Sequence, residues 1–211
     1  MPTPPNARSV RIADDERGGW SSDRPRRDGA PPRPVDVSTR CRVLRPASEL
    51  RYSPGSLLVV VSASKEERDR LLERVLESQG PVLSLDKVRA LLRGRVGEEE
   101  VEKRAGQLLE ATALKRLEAG ETVVLAADGL AADERERVVR TAHRFRRPRH
   151  VILVEVARDR IADEDRAVLN DLRRRLDAGE LGKEGFQTAL RLGGAATSEL
   201  KRIVFRPAQE E

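Results

Sequence analysis

The sequence predicts an α/β fold, a mostly parallel sheet held between helices in three layers. Short aliphatic runs alternate with longer amphipathic stretches along residues 55–207. The runs are continuously apolar, as strands covered on both faces must be. Strands that alternate with helices in this way pair in parallel through right-handed crossovers.

The elements follow in order. Pro54-Gly55 is a turn signal before a first strand at 57–61, Leu-Leu-Val-Val-Val. A helix over 65–78 carries the apolar stripe Leu71, Leu72, Val75 and Leu76. Gly80-Pro81 breaks the chain. A strand at 82–85 leads to Asp86, a good N-cap for a helix over 87–92. Gly94 and Gly97 bound a loop. The helix over 98–119 is acidic in its first turn, as its dipole favours, and Gly120 ends it. A strand at 122–126 meets the turn Asp128-Gly129. A helix over 132–145, a strand at 151–156 and a charged helix over 163–177 come next. Residues 186–192 and 203–205 add one or two strands, and 192–198 reads as a turn and N-cap. Ligands of such sheets sit beyond the carboxyl ends of the strands, which points to 62–69, 86–89, 126–130 and 157–160.

A chain of 211 residues suits one such domain plus a tail. Nine of the twelve prolines fall within residues 1–54, a segment too poor in apolar surface to offset its ordering entropy. The expected organisation is a disordered Arg/Pro-rich tail over 1–40, a lead-in over 41–54, the domain over 55–207 and a short tail over 208–211. Aromatic residues make up 2%, so the core is aliphatic. The net charge of +5 is concentrated in residues 1–55, with eleven arginines against seven acids, leaving the domain nearly neutral. The basic isoelectric point therefore does not by itself predict nucleic-acid binding. Cys41 is the only cysteine, which excludes an intramolecular disulfide and cysteine metal clusters. Neither a secretory leader nor a membrane-length apolar run is visible, and the expected location is the cytoplasm.

Residues 62–69 occupy the place where a phosphate-binding loop reads G-x-x-x-x-G-K-[ST]. All four signature positions differ: Ser62 and Glu67 stand for the glycines, Arg68 for the lysine and Asp69 for the hydroxyl residue. The approach Ser53-Pro54-Gly55-Ser56-Leu57-Leu58, the segment Leu85-Asp86-Lys87-Val88-Arg89, the strand ending at Asp128 and Lys183-Glu184-Gly185-Phe186 together resemble P-loop kinases of the polynucleotide-kinase and zeta-toxin-like type. The resemblance spans about residues 42–206. It implies a P-loop NTPase-like fold and a bacterial source. In that family the loop glycines let main-chain N–H groups wrap the phosphates, the lysine reaches them and the hydroxyl binds Mg²⁺. Here a Cβ and a carboxylate at Glu67, with Glu66 beside it, confront a polyanion, and residues 65–70 read more simply as the charged first turn of the helix than as a phosphate cradle. The resemblance also implies that Asp86 is the position of the general base and Arg89 that of a phosphate contact; the alternative is an N-cap with a local ion pair. Leu125 stands at the family's strand-end carboxylate, and Asp128 falls at the following polar position or simply forms a turn. Arg158, Arg160, Arg166 and Arg173 to Arg175 are candidates for the family's lid arginines.

Arg140, Arg144, Arg146, Arg147 and Arg149, with His143 and His150, form the densest basic cluster. It reads either as a phosphate or nucleic-acid contact or as cations near a helix carboxyl end. Phe145 alone provides no stacking platform. The two histidines lack companions for a metal site. The resulting expectation is a kinase-like protein without catalysis that binds or regulates an unidentified macromolecule, with no cofactor and no membrane partner. The alternatives are an ATP- and Mg²⁺-dependent nucleotide or polynucleotide kinase with a divergent loop, and a nucleic-acid-binding module.

Overall fold

The structure is a computed structural model that describes residues 35–207; the expected tails at 1–34 and 208–211 lie outside the described residues. The elements are β1 (Arg42–Leu44), β2 (Glu49–Tyr52), β3 (Leu57–Ser62), α1 (Lys65–Val75), β4 (Val82–Ser84), α2 (Leu85–Leu92), α3 (Glu98–Glu118), β5 (Val123–Ala126), α4 (Ala132–Arg144), β6 (Arg149–Val154), α5 (Asp163–Asp177), β7 (Thr188–Leu192), α6 (Ala195–Glu199) and β8 (Arg202–Phe205). Six strands form one sheet in the order β1-β7-β6-β3-β5-β4, with every pairing parallel. β2 and β8 form a second, two-stranded parallel sheet.

The layers follow from the pleat. Along β3, Leu57, Val59 and Val61 join one apolar cluster while Leu58 and Val60 join another. The first cluster is closed by Leu109, Ala113 and Leu117 of α3, Val138 and Ala142 of α4, and Leu169, Leu172 and Leu176 of α5. The second is closed by Leu71, Leu72 and Val75 of α1 together with Leu50, Tyr52 and Ile203 of the small sheet. The chain leaves β3 through α1 on one face and leaves β6 through α5 on the other. The point where a doubly wound sheet opens a crevice therefore lies between the ends of β3 and β6, where Ser62 stands opposite Val154.

The two strands of the lead-in were hidden by its prolines and short apolar runs. β1 borders β7, and β2 borders β8. Residues 35–40, expected within the tail, lie on the domain instead. Val37 is buried, and the Thr39 N–H donates to the Gly182 carbonyl at 2.9 Å. Gly182 permits that approach, because a Cβ there would stand 2.1 Å from the Thr39 oxygen. α1 stops three residues earlier than its stripe suggests, since Leu76 turns extended and bridges to Ile203. α2 begins at Leu85 and is capped by Ser84, whose hydroxyl accepts from the Lys87 N–H at 3.2 Å. Asp86 is thus inside the first turn and is not the cap. Within residues 192–198, expected as a turn and N-cap, the short helix α6 already begins at Ala195.

Candidate functional site

The connection from β3 to α1 decides what the carboxyl end of the sheet can hold. The sequence places a helix from Lys65 within the eight positions 62–69, and the structure has two residues, Ala63 and Ser64, between strand and helix. Glu67, Arg68 and Asp69 are therefore helical. The Ser64 hydroxyl accepts from the Glu67 N–H at 3.3 Å and satisfies one of the free donors of the helix start. The Ser62 hydroxyl donates across the crevice to the Val154 carbonyl at 2.9 Å and accepts from the Ser64 N–H at 3.2 Å.

Arg68 fills the space beneath. Its side chain is fully buried, donating through Nη1 to the Ala127 carbonyl past the end of β5 and through Nε to Asp69 at 2.8 Å. Its Nη2 is buried with no hydrogen-bond partner among the described residues. Glu67 points outward and bridges Arg70 at 2.8 Å and Arg160 at 2.5 Å. An open depression of about 570 Å³ beside the helix start is lined by Ala63, Ser64, Lys65, Glu66, Arg70 and Arg160.

Asp86, Arg89 and Asp128 do converge. Arg89 reaches Asp86 at 2.8 Å, Asp128 at 3.1 Å and Glu102 of α3 at 2.7 Å. Lys65, the first residue of α1, pairs with Asp128 and lies 3.7 Å from Asp86. Five charges from three helices and one strand end thus neutralise one another to within a single negative charge. Hydrogen bonds that Arg89 donates to Glu102 and then to Asp128 raise its already high pKa against the opposing effect of burial. Burial pushes the Asp128 carboxyl up, but hydrogen bonds from Arg89 and Lys65 outweigh it and hold the group below the usual range. The Arg89 hydrogen bond likewise lowers Glu102. Asp86 and Arg89 are the local i, i+3 pair the spacing allows, drawn into a wider network.

Lys65 and Glu102 are the members that sequence reasoning missed. Lys65 was expected as the first residue of the helix, but nothing local ties it to Asp128. Glu102 lies thirteen positions beyond Arg89, and no local pattern links them.

The arginines expected near the lid are mostly committed to neighbours. Arg166 pairs with Asp163, Arg174 with Asp171, and Arg175 with Glu184. Arg173 and Arg191 both grip Glu155 just beyond β6. Arg158, Arg166 and Arg173 line a hollow of about 370 Å³.

The basic cluster at 140–149 sits at the other end of the sheet and divides. Arg147 donates to the Leu117 carbonyl at 2.8 Å, capping α3. Arg149 is buried, donating to the Gly185 carbonyl at 2.6 Å and the Arg147 carbonyl at 3.2 Å. These two are structural. Arg140 bonds Glu136 and the Val35 carbonyl. Arg144 lies over the Phe145 ring at 5.6 Å, and Arg146 is exposed.

No family model matches the sequence, and no curated protein matches it. The fold is similar to the crystal structure of a "putative kinase" from Chloroflexus aurantiacus, with 17% identity and a TM-score of 0.40, over 67% of this chain and 86% of that one. The α/β assignment rests on the strand order above and not on that likeness. Among the described residues, no helix is long and apolar enough to cross a membrane.

Proposed function

We propose that this chain is a kinase-like α/β protein that does not transfer phosphate and acts by binding or regulating another macromolecule. The observation that carries this reading is the two-residue link between β3 and α1. A phosphate cradle needs a curved run of main-chain N–H groups around an anion-sized hollow. In this chain a serine caps the helix start, and the Arg68 guanidinium occupies the adjacent interior. Lys65 and Arg89, the cations best placed to meet a phosphate, are taken by Asp86, Glu102 and Asp128.

Calorimetric titration with ATP and Mg²⁺ tests this directly. The expected result is no saturable binding up to millimolar nucleotide. Micromolar binding that disappears in Lys65→Ala overturns the proposal. That outcome favours the second reading, an active kinase with a divergent loop. Its support is the open depression lined by Lys65, Arg70 and Arg160, and under it Asp86 is the candidate base.

A further inference from the structure

A hollow lies at the amino end of the sheet, away from the Asp86–Asp128 network. It measures about 600 Å³ and is lined by Val35, Val37, Arg140, Thr141, His143, Arg144 and Arg146. That size is in the range of small-molecule sites. One wall is the segment 35–37, tied down by the Arg140 bond to the Val35 carbonyl and by the burial of Val37. The other wall is the last two turns of α4 and the residues that follow.

The charges around it are unequal. Glu136 is taken by Arg140. Asp36 lies near His143, and its carboxylate accepts from the Ser38 N–H at 2.9 Å. Arg144 and Arg146 have no ion pair among the described residues. The carboxyl end of α4 contributes a partial negative charge of its own, which two full positive charges outweigh.

Arg146 carries a second signal. The Arg146 N–H donates to the His143 carbonyl at 2.9 Å, and the Arg147 N–H donates to the Ala142 carbonyl at 2.8 Å. This is a Schellman motif, and Arg146 occupies its left-handed position with φ of 55°. Glycine is the favoured residue there, and α3 ends in the same motif with Gly120 at φ of 79°. α4 places a long cation at a position where a side chain is strained, and that cation faces the hollow. Strain retained at a concave surface points to a use for the side chain.

We propose that this hollow binds a small organic anion, an apolar body carrying a carboxylate or a phosphate. Val35, Val37 and the alkyl stems of the arginines enclose the body, while Arg144 and Arg146 receive the charge. A nucleic-acid strand fits less well. Arg147 and Arg149 are turned to main-chain carbonyls and break any continuous basic track, and Phe145 is covered by Arg144. The inference does not depend on whether the opposite end of the sheet transfers phosphate.

The test is a titration of the full chain with 1-naphthyl phosphate and with 1-naphthoate, followed by fluorescence and by amide chemical shifts. 1-Naphthol and inorganic phosphate serve as the two halves of the ligand. At least one naphthyl anion is expected to saturate and to bind at least about tenfold more tightly than naphthol or phosphate alone, the worth of one charge-assisted hydrogen bond. Which of the two anions binds identifies the head group. Arg146→Gly and Arg144→Gln are each expected to lose about tenfold. The thermal midpoint of Arg146→Gly stays at or above that of the parent, so its loss of binding is not a loss of fold. Lys65→Ala leaves naphthyl binding unchanged. The proposal is overturned if neither anion saturates, if naphthol binds equally well, or if both arginine variants bind as the parent does. It is also overturned if Lys65→Ala abolishes binding, or if an RNA oligonucleotide binds while both naphthyl anions fail.

Discussion

The two ends of the sheet handle positive charge in opposite ways. At the carboxyl end, Lys65 and Arg89 are paired with three carboxylates contributed by separate elements. At the amino end, Arg144 and Arg146 face a hollow with no ion pair among the described residues. The first arrangement costs little, because its charges remain partly exposed and each meets an opposite one. The second keeps its cations hydrated and available. The difference teaches that counting arginines near a strand end says little about anion binding. What matters is whether the chain has supplied its own anions.

The contrast breaks most severely at the wall of the amino end. Gly182→Ala drives a methyl group into the Thr39 carbonyl, main chain against main chain, and neither side is a flexible tip. Chemical denaturation is expected to show a loss of about 3 kcal/mol, with naphthyl-anion binding lost as the 35–41 segment lifts.

A similar loss is expected from acid. Burial, with Arg149 adding a smaller effect, pushes the His150 pKa down to about 4, from 6.5 when unfolded. The ring stacks on Tyr52 at 4.4 Å and meets the Thr188 hydroxyl at 2.8 Å. Because the folded pKa is the lower one, the unfolded chain takes the proton first. Stability is unaffected above pH 6.5 and falls by about 3 kcal/mol as pH drops to 4. His150→Phe should flatten that slope in denaturation curves collected across the window; an unchanged slope contradicts the assignment.

Asp128→Asn sharpens the comparison by making the carboxyl end resemble the amino end. It relieves Lys65 and Arg89 of one carboxylate. The cost in stability is about 1 kcal/mol, since the pair is partly exposed. Inorganic phosphate, followed by amide shifts at Ser64 and Lys65, should bind the variant more tightly than the parent. No gain would mean that the tight β3–α1 link excludes the anion and that the paired carboxylates do not.

The smallest effect is a gain. Arg146→Gly removes the strain of a left-handed arginine and should raise stability by about 1 kcal/mol, or about 2–4 °C in thermal midpoint. Gly120→Ala, at the matching position of α3, should move the midpoint down.

Much of the architecture was legible because continuous aliphatic runs specify buried strands, and each helix from 65 to 177 declared an apolar stripe or a charged first turn. α5 falls on its expected residues, 163–177. The strands β1 and β2 were not legible. Arg42-Val43-Leu44 is too short to show a period, and Glu49-Leu50-Arg51-Tyr52 is masked by flanking prolines. The site was legible only in part. Asp86 and Arg89 share a helix, so their spacing announced them, and Asp128 sits at a strand end where ligands collect. The start of α1 at Lys65 was legible in its charged first turn, although a strand end, a two-residue link and a helix turn fill the same eight positions as a phosphate loop. Arg68 gave no sign of its burial, since a charged residue in a charged helix looks solvated. Arg147 and Arg149 looked like their neighbours because sequence does not show which arginine will find a carbonyl.

The earliest strands wait for the latest ones. Arg42 registers with Thr188 and Glu49 with Arg202, so both sheets are fastened by strands from opposite ends of the domain. Few local contacts can hold β1 or β2 before β7 and β8 emerge from the ribosome, and such distant pairings slow folding. A nascent chain halted before residue 188 would display bare strand edges to its surroundings. Synthesis of this protein should therefore lean on chaperones until its final segment is made, and trimming either end of the domain should undo the same two seams.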